Sequence, residues 1–329
     1  MRKPVPTLLT VVLAAGALLA SAYGLGASRQ TATVARATAG QSPAEVARFV
    51  FPAATEVNGI RMSELSGLAW DADEKLLYAV SDPGYVFHFR LLREGGWVVA
   101  LQPVHAALLV DSPRGRPVHQ RINAEGFAVD NASNTVAGDT ELIVAVEGDP
   151  PRIMRFSPAG MALDQLTVPP PADDLRNYRK KGRGLESVVL HPLHGLMTAP
   201  ESPLRGQAQE RHTLFASDGQ WSFERRGTDS RLKGFDVLPG GDLVTLERNR
   251  TGVKNALTAS LRRVRLTECG TGDICGAETL AVMPAGPDNF EGMTMIDAQH
   301  LMLVSDNGGS RSLDTVFLLL DVTEKKTEP

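Results

Sequence analysis

The sequence predicts an all-β protein, a β-propeller, on three observations. A unit of two short predicted strands occurs five times, and the units start 59, 61, 47 and 58 residues apart. Each interval leaves room for four short strands and their loops. Strong strand segments remain at both ends of the repeats without a partner of their own.

The repeated unit is clearest in residues 288–307. A polar start leads into alternating apolar residues, and after a turn a short apolar run stops at Ser305 and Asp306. This pattern is typical of two antiparallel strands. The same unit is found at residues 66–82, 125–148, 186–202 and 233–248.

Aligning the five units gives two columns of residues. The first column, at the start of the first strand, contains Ser66, Glu125, Glu186, Lys233 and Glu291. The second column, at the end of the second strand, contains Ser81, Glu147, Glu201, Glu247 and Ser305. The start of one strand and the end of its antiparallel partner lie at the same edge. We therefore expect both columns at one mouth of the central channel, with Asp82 and Asp306 one residue further on.

The two ends of the domain predict how the ring closes. Residues 46–57 contain an apolar strand candidate, and residues 315–322 form a strong strand. Neither completes a blade alone, so we expect the amino-terminal strand to join the last blade and remove the free sheet edges. The repeats then count five blades; a sixth would need a degenerate repeat.

The amino terminus predicts export. Arg2 and Lys3 precede an apolar run over residues 8–20, and residues 20–22 form a small-residue cleavage pattern. We interpret residues 1–26 as a signal peptide, 27–44 as a flexible spacer and 45–325 as the propeller domain. The protein would then be periplasmic or secreted, without stable membrane insertion after cleavage; an uncleaved amino-terminal anchor is the alternative.

Charge and cysteine content limit the partners further. The net charge of −4 and the lack of a Lys/Arg run do not fit nucleic acid binding. Cys269 and Cys275 lie across a Gly-rich turn, and in an exported chain they predict a local disulfide, with two free thiols as the alternative. We expect a monomer.

Five phrases in the repeats resemble one known family. These are residues 64–70, 124–130, 184–188, 233–236 and 290–294. As a set they resemble the exported "esterase-like activity of phytase" family, or phytase-like domain proteins, over about residues 63–321. The resemblance implies a propeller, often drawn with six blades, and a calcium-dependent phosphoester or ester hydrolase activity. Lys233 departs from the acidic pattern of the first column.

The acids of the predicted mouth suit a calcium ion, because Ca²⁺ takes several carboxylate, carbonyl and water oxygens. Crowded carboxylates also repel one another unless a cation neutralises them. The alternative is that each carboxylate accepts backbone hydrogen bonds and holds neighbouring blades together. The candidate calcium ligands are Glu125, Glu186, Glu291, Glu147, Glu201 and Glu247.

Basic residues among these acids predict an anion clamp. Lys233 and Arg248 lie among these acids in the alignment, and Lys180, Lys181, Arg183 and Arg250 lie in nearby loops. Together with a metal, such groups stabilise charge on a phosphoryl group. The alternative is ion pairing inside the ring, for instance of Lys233 with Glu291 or Glu186. The predicted catalytic residues are Glu186, Glu291, Lys233 and Arg248.

Two classes of function follow. The first is a metal-assisted hydrolase of small-molecule esters or phosphoesters, in which one Glu activates water and basic groups hold the anion. The second is a non-catalytic propeller of the cell envelope that binds a ligand or protein at the same mouth. The sequence has no Gly-x-Ser-x-Gly elbow, so a serine esterase of the α/β-hydrolase type is not expected.

Overall fold

A computed structural model describes residues 34–38, 44–110, 122–180, 184–250, 252 and 256–323. The predicted signal peptide and most of the spacer lie outside these residues, as do Lys181 and Arg183. Within the described chain, the regular structure is β-strand apart from two 3₁₀ turns at Leu175–Asn177 and Leu266–Glu268. No helix of these residues is long and apolar enough to cross a membrane.

Five antiparallel sheets form the blades, which confirms the propeller and the count of five. We number the strands in chain order. Blade I consists of β5 (Leu65–Asp71), β6 (Leu76–Ser81), β7 (Tyr85–Glu94) and β8 (Trp97–Leu108), with the short β1 (Ala35–Arg36) on its outer edge. Blade II consists of β9 (Asn123–Asp130), β10 (Glu141–Glu147), β11 (Arg152–Phe156) and β12 (Ala162–Leu166).

The remaining blades follow in order round the ring. Blade III consists of β13 (Leu185–His191), β14 (Gly195–Pro200), β15 (Arg211–Ala216) and β16 (Gly219–Glu224), extended by β20 (Ile274–Cys275). Blade IV consists of β17 (Arg231–Val237), β18 (Leu243–Arg250), β19 (Leu257–Val264) and β21 (Ala277–Val282). Blade V consists of β22 (Asn289–Met295), β23 (His300–Asp306), β24 (Thr315–Asp321) and β2 (Glu45–Phe51). A two-stranded ribbon, β3 (Glu56–Val57) with β4 (Ile60–Arg61), precedes blade I.

The ring closes as the sequence predicts. The amino-terminal strand β2 pairs antiparallel with the carboxy-terminal β24, with Phe49 opposite Phe317. The first strand of each blade contacts the first strand of the next, in the order β5, β9, β13, β17, β22 and back to β5. The amino-terminal and carboxy-terminal strands are thus bound into one sheet, which completes blade V.

The hydrophobic core is divided into five clusters, and each lies between two neighbouring blades. Phe51, Phe89 and Phe317 pack together between blades V and I, with ring centroids 5.1–5.9 Å apart. Trp221 and Phe235 belong to the cluster between blades III and IV. Since burial lies between sheets rather than within one, the blades stabilise one another.

The predicted disulfide is present. Cys269 and Cys275 are bonded, and Cys275 belongs to β20, which pairs in parallel with β16 of blade III. The bridge therefore closes the connection between β19 and β21 of blade IV where it crosses to the outer edge of blade III.

Candidate active site at the channel mouth

A β-bulge in the first strand of every blade positions the first column. At each of these sites the first strand contains one more residue than the second strand that pairs with it, and the column residue is this unpaired residue. A bulge re-aims a side chain and strengthens the local twist. Five bulges at one level direct Ser66, Glu125, Glu186, Lys233 and Glu291 towards one mouth, where each is buried.

A small residue follows each bulge because neighbouring first strands approach closely there. A Cβ added to Gly126 would lie 2.6 Å from Ser187 Cα, and one added to Gly292 would lie 3.0 Å from the backbone of Gly67. Atoms that are not bonded cannot come so close without displacement of the backbone. The repeated Glu-Gly pair of the sequence thus combines an acid at the mouth with a glycine at the contact between blades.

The second column, as the sequence alignment defines it, mixes two register positions. The residues before the five bulges pair with Ser81, Val146, Pro200, Glu247 and Ser305. The equivalent residues at the mouth are one step further: Asp82, Glu147, Glu201, Arg248 and Asp306. One step reverses the side of the strand on which a side chain lies. The alignment could not separate the two positions, because Glu occurs at both.

Glu247 accordingly lies away from the mouth, within blade IV and against blade III. Its carboxylate receives hydrogen bonds from Arg262, at 2.8 Å, and from the Ser230 hydroxyl, and it has no exposed surface. Burial on its own would raise its pKa, but the His212 ring, 3.5 Å away, and the hydrogen bonds from the Arg226 backbone and from Ser230 lower the pKa of Glu247 to about 2. This residue is placed to hold two blades together, not to contact a ligand.

The other predicted acids and bases do come together. Lys233 Nζ lies 2.6 Å from Glu186, 3.2 Å from Glu291 and 3.4 Å from Glu201. Arg248 pairs with Glu291 through Nη1, and its Nη2 is 3.3 Å from Glu201. Burial disfavours the charge of Lys233, but the carboxylates of Glu186 and Glu291 raise its pKa above the ordinary value. The ammonium is therefore the centre of a buried charge network.

The opposite half of the mouth, contributed by blades I, II and V, has carboxyl groups for which no such cation is found among the described residues. Burial and the nearby charges of Asp306 and Glu291 raise the pKa of Asp82 to about 7, although the hydrogen bond from the Ser66 hydroxyl lowers it. Burial and Glu291 raise the pKa of Asp306 to about 6. Burial and the charges of Glu186 and Asp82 raise the pKa of Glu125 well above its usual range. These raised pKa values bring the titration of Asp82 and Asp306 close to neutral pH.

A third position, two residues before the bulge, links the two columns in blades II and V, and the sequence reasoning missed it. Asn123 donates 2.9 Å and 2.6 Å hydrogen bonds to Glu125 and Glu147, and Asn289 donates 2.8 Å and 3.2 Å bonds to Glu291 and Asp306. Arg231 lies 3.3 Å from Glu201. The repeated Asn-x-Glu-Gly of blades II and V was the available signal.

Below the charged mouth the channel is closed by an apolar ring. The ring contains Leu68, Phe127, Val188, Phe235 and Met293, all buried and two residues beyond the bulges. The space enclosed by this ring together with Ser66, Glu186, Lys233 and Glu291 of the mouth is about 10 Å³. A ligand at the mouth therefore meets charged side chains over an apolar floor and cannot pass through.

The carboxylates do not form a ready calcium site. Among the described residues, no group of three or more His, Cys, Asp or Glu side chains is arranged to hold a metal ion. Glu186, Glu201 and Glu291 all lie within 3.4 Å of Lys233 Nζ, so an ammonium stands between them where an ion would need to bind. The ion-pair alternative for Lys233 describes this half of the mouth better than the calcium hypothesis does.

The fold and the mouth together define the class of protein, which is a five-bladed propeller with a buried, acid-rich opening. The profile of the phytase-like family, described as "esterase-like activity of phytase", matches residues 60–309, and the chain belongs to that family. A comparison with curated protein sequences finds no significant match.

Two solved structures are similar at low identity. A gluconolactonase from Xanthomonas campestris is 15% identical, with 89% of this chain and 86% of that chain covered and a TM-score of 0.42. A putative oxidoreductase (glucose dehydrogenase) from Thermus thermophilus is 15% identical, with 83% of this chain and 100% of that chain covered and a TM-score of 0.35.

Proposed function

We propose that this protein hydrolyses esters or phosphoesters of small molecules at the charged mouth. Its membership of the phytase-like family supports the reaction class. The observation that carries the proposal is that one opening brings together the fixed guanidinium of Arg248 and two carboxyl groups, Asp82 and Asp306, whose pKa values are raised to about 7 and about 6. Clustered groups with shifted pKa values are typical of catalytic sites.

Arg248 is the cation that a bound anion reaches. Its side chain is 14% exposed, whereas that of Lys233 is 4% exposed beneath it. The guanidinium is fixed between Glu291 and Glu201, with further support from Asn289. A guanidinium held in place costs little reorganisation when charge develops on a carbonyl or phosphoryl oxygen.

Asp82 and Asp306 supply the proton transfers. Both are half-buried; burial raises the pKa of each, and the charge of Glu291 adds to both shifts. With pKa values of about 7 and about 6, one of these carboxyl groups can be protonated while the other is ionised. The ionised member takes a proton from the attacking water, and the protonated member gives its proton to the leaving oxygen, so the pair is restored after product release.

Glu186, Glu291 and Lys233, predicted as catalytic, form the buried layer under these groups. In the proposed reaction they determine the electrostatic potential at the mouth. Lys233 pairs with the acids beneath Arg248, and these acids keep the guanidinium oriented. A calcium ion remains a prediction from the sequence. Because the carboxylates do not fit a preformed calcium site, the proposed reaction has no step through calcium.

Export and a monomeric state belong to the same proposal. The apolar run over residues 8–20 and the disulfide between Cys269 and Cys275 support a periplasmic or secreted protein. We expect the protein recovered from the cell envelope to lack about the first 26 residues and to contain no free thiol. A full-length, thiol-containing protein in the cytoplasm would contradict export.

The decisive experiment is an activity screen with p-nitrophenyl acetate and p-nitrophenyl phosphate between pH 5 and 9. Asp82→Asn and Arg248→Gln should each lower kcat at least about 100-fold, the usual scale of a lost general acid–base or electrostatic group. Arg155→Gln, in an outer-strand ion pair with Asp164, is the matched control and should leave activity unchanged. If wild-type protein turns over neither substrate, the binding propeller is the correct alternative.

A further inference from the structure

A second cavity lies at the end of the central channel opposite the mouth. Its volume is about 480 Å³, which is within the range of pockets that bind small molecules. Its floor contains Leu68, Phe127, Phe235 and Met293, which belong to the apolar ring that closes the mouth from the other side. The channel therefore has two separate compartments, and we call this second one the far pocket.

The wall of the far pocket repeats from blade to blade. Trp70, Val129, Leu190 and Met295 line it, and each lies four residues beyond the first-column residue of its blade. Side chains at even spacing lie on the same face of a strand, so this level follows the apolar ring along the channel. All four side chains are half-buried and apolar, whereas the first-column residues at the mouth are polar. A ligand in the far pocket therefore packs against an indole ring and three other apolar side chains.

The rim of the far pocket is held in place by hydrogen bonds between two blades. The loop between β9 and β10 contributes Ala132 and Asn134 to the lining. The Ala132 carbonyl accepts a 2.9 Å hydrogen bond from the Ala72 N–H, and the Asn134 N–H donates to Asp73 Oδ2 at 2.8 Å. Because these bonds join the loop to the β5–β6 turn of blade I, the cavity is formed before a ligand arrives.

Two acids line the far pocket, and no Lys, Arg or His of the described chain does. Asp130 accepts a 2.8 Å hydrogen bond from the Asn131 N–H. Asp236 accepts from the Val237 and Met295 N–H groups, each at 2.7 Å. These donors are neutral, and burial raises the pKa of Asp236 in spite of its hydrogen bonds. The far pocket thus has acidic groups whose charge no basic side chain of its lining balances.

These features together select one class of ligand. An apolar body buries hydrophobic surface against the wall, and a positive charge is favourable over an indole ring and near carboxylates. An anion would meet two acids and no basic partner.

We propose that the far pocket binds a small organic cation with an apolar body, such as a primary amine. The apolar body contacts Trp70 and Leu190, and the carboxylates of Asp130 and Asp236 offset the positive charge. The far pocket is separated from the mouth by the apolar ring, so this binding does not rest on the proposed hydrolase function.

Isothermal titration calorimetry at neutral pH and low salt compares three probes that share one apolar body: 4-phenylbutylamine, 4-phenylbutan-1-ol and 4-phenylbutyrate. The amine should bind at least about tenfold more tightly than the alcohol, and the acid more weakly than the alcohol, because the three differ mainly in charge.

Asp130→Asn should raise the Kd of the amine about tenfold and that of the alcohol less than about threefold, since it removes charge and keeps shape. Asp236→Asn should act in the same way; because Asp236 also joins blades IV and V, this variant is compared only at a native melting temperature. Asp297→Asn is the matched control. This exposed acid lies in the β22–β23 turn at the same end of the channel, outside the pocket lining, and its variant should leave all three Kd values unchanged.

Tryptophan fluorescence locates the bound amine. Trp70 lines the far pocket, whereas Trp97 is 64% exposed at the start of β8 and Trp221 is buried between blades III and IV. The amine should change the emission of the wild type and of Trp97→Phe, and it should not change the emission of Trp70→Phe.

Four results overturn the proposal. The first is no saturable binding of the amine to the wild-type protein, and the second is binding of the alcohol or the acid as tight as that of the amine. The third is an unchanged amine affinity in Asp130→Asn. The fourth is an emission change that Trp70→Phe retains and Trp97→Phe loses, which would place the amine outside the far pocket.

Discussion

Replacing Lys233 by Met removes the cation at the centre of the mouth and keeps the length of the side chain. Three carboxylates lose their common partner, at 2.6 Å, 3.2 Å and 3.4 Å. All three are buried, so water does not replace the ammonium. Breaking a buried ion pair by removing one partner costs about 3–5 kcal/mol, and we expect the free energy of unfolding to fall by that amount at pH 8.

The loss should depend on pH and on Glu186. Burial raises the pKa of Glu186 while Lys233 lowers it, so without Lys233 the carboxyl group takes up a proton more readily. Protonation removes part of the repulsion, and the loss at pH 5 should therefore be smaller than at pH 8. Adding Glu186→Gln to Lys233→Met should recover about 1 kcal/mol or more, because residues in contact couple on that scale.

Urea unfolding at pH 5 and pH 8 measures these free energies of unfolding for the wild type, both single variants and the double variant. The m-values must agree among the variants for the comparison to hold. A loss below about 1 kcal/mol for Lys233→Met, the usual scale of an exposed pair, would refute the buried network and with it the assigned role of Lys233. Purely additive effects of the two substitutions would refute the contact with Glu186.

Three other outcomes follow from the same geometry. The pKa values of Asp82 and Asp306 are raised to about 7 and about 6, so the folded state binds more protons than the unfolded state between about pH 4 and 7. The free energy of unfolding should therefore fall as the pH rises through that range. Melting scans should show this fall, and Asp82→Asn should reduce it. Calcium should raise the melting temperature of Lys233→Met more than that of the wild type, because the variant lacks the ammonium between three carboxylates. A large calcium-dependent rise in the wild type would instead support the calcium site that the sequence predicts. Glu247→Gln leaves Arg262 buried without its ion-pair partner and should lower the free energy of unfolding by about 3–5 kcal/mol with kcat unchanged; a selective loss of kcat would return Glu247 to the active site.

Much of the mouth was predictable because the bulge and its glycine leave a trace in the sequence. Glu125-Gly126 and Glu291-Gly292 repeat at the spacing of blades, and both acids lie at the mouth. Glu247 was misplaced for a physical reason. The second strand has no bulge, and Glu occurs both opposite the residue before the bulge and one position later, so an alignment by residue type does not separate the two faces of that strand. Arg248, one position later, faces the mouth instead.

The sequence by itself determined the repeat, the five blades, the closure of the ring and the disulfide. Each depends on local periodicity or on short spacing along the chain. Only the tertiary structure decided which charges meet. Lys233 lies 47 residues from Glu186 and 58 residues from Glu291, and their contact requires three blades to be packed round one axis. The pKa values followed from that packing, because burial and neighbouring charge are properties of the assembled mouth and not of any single repeat.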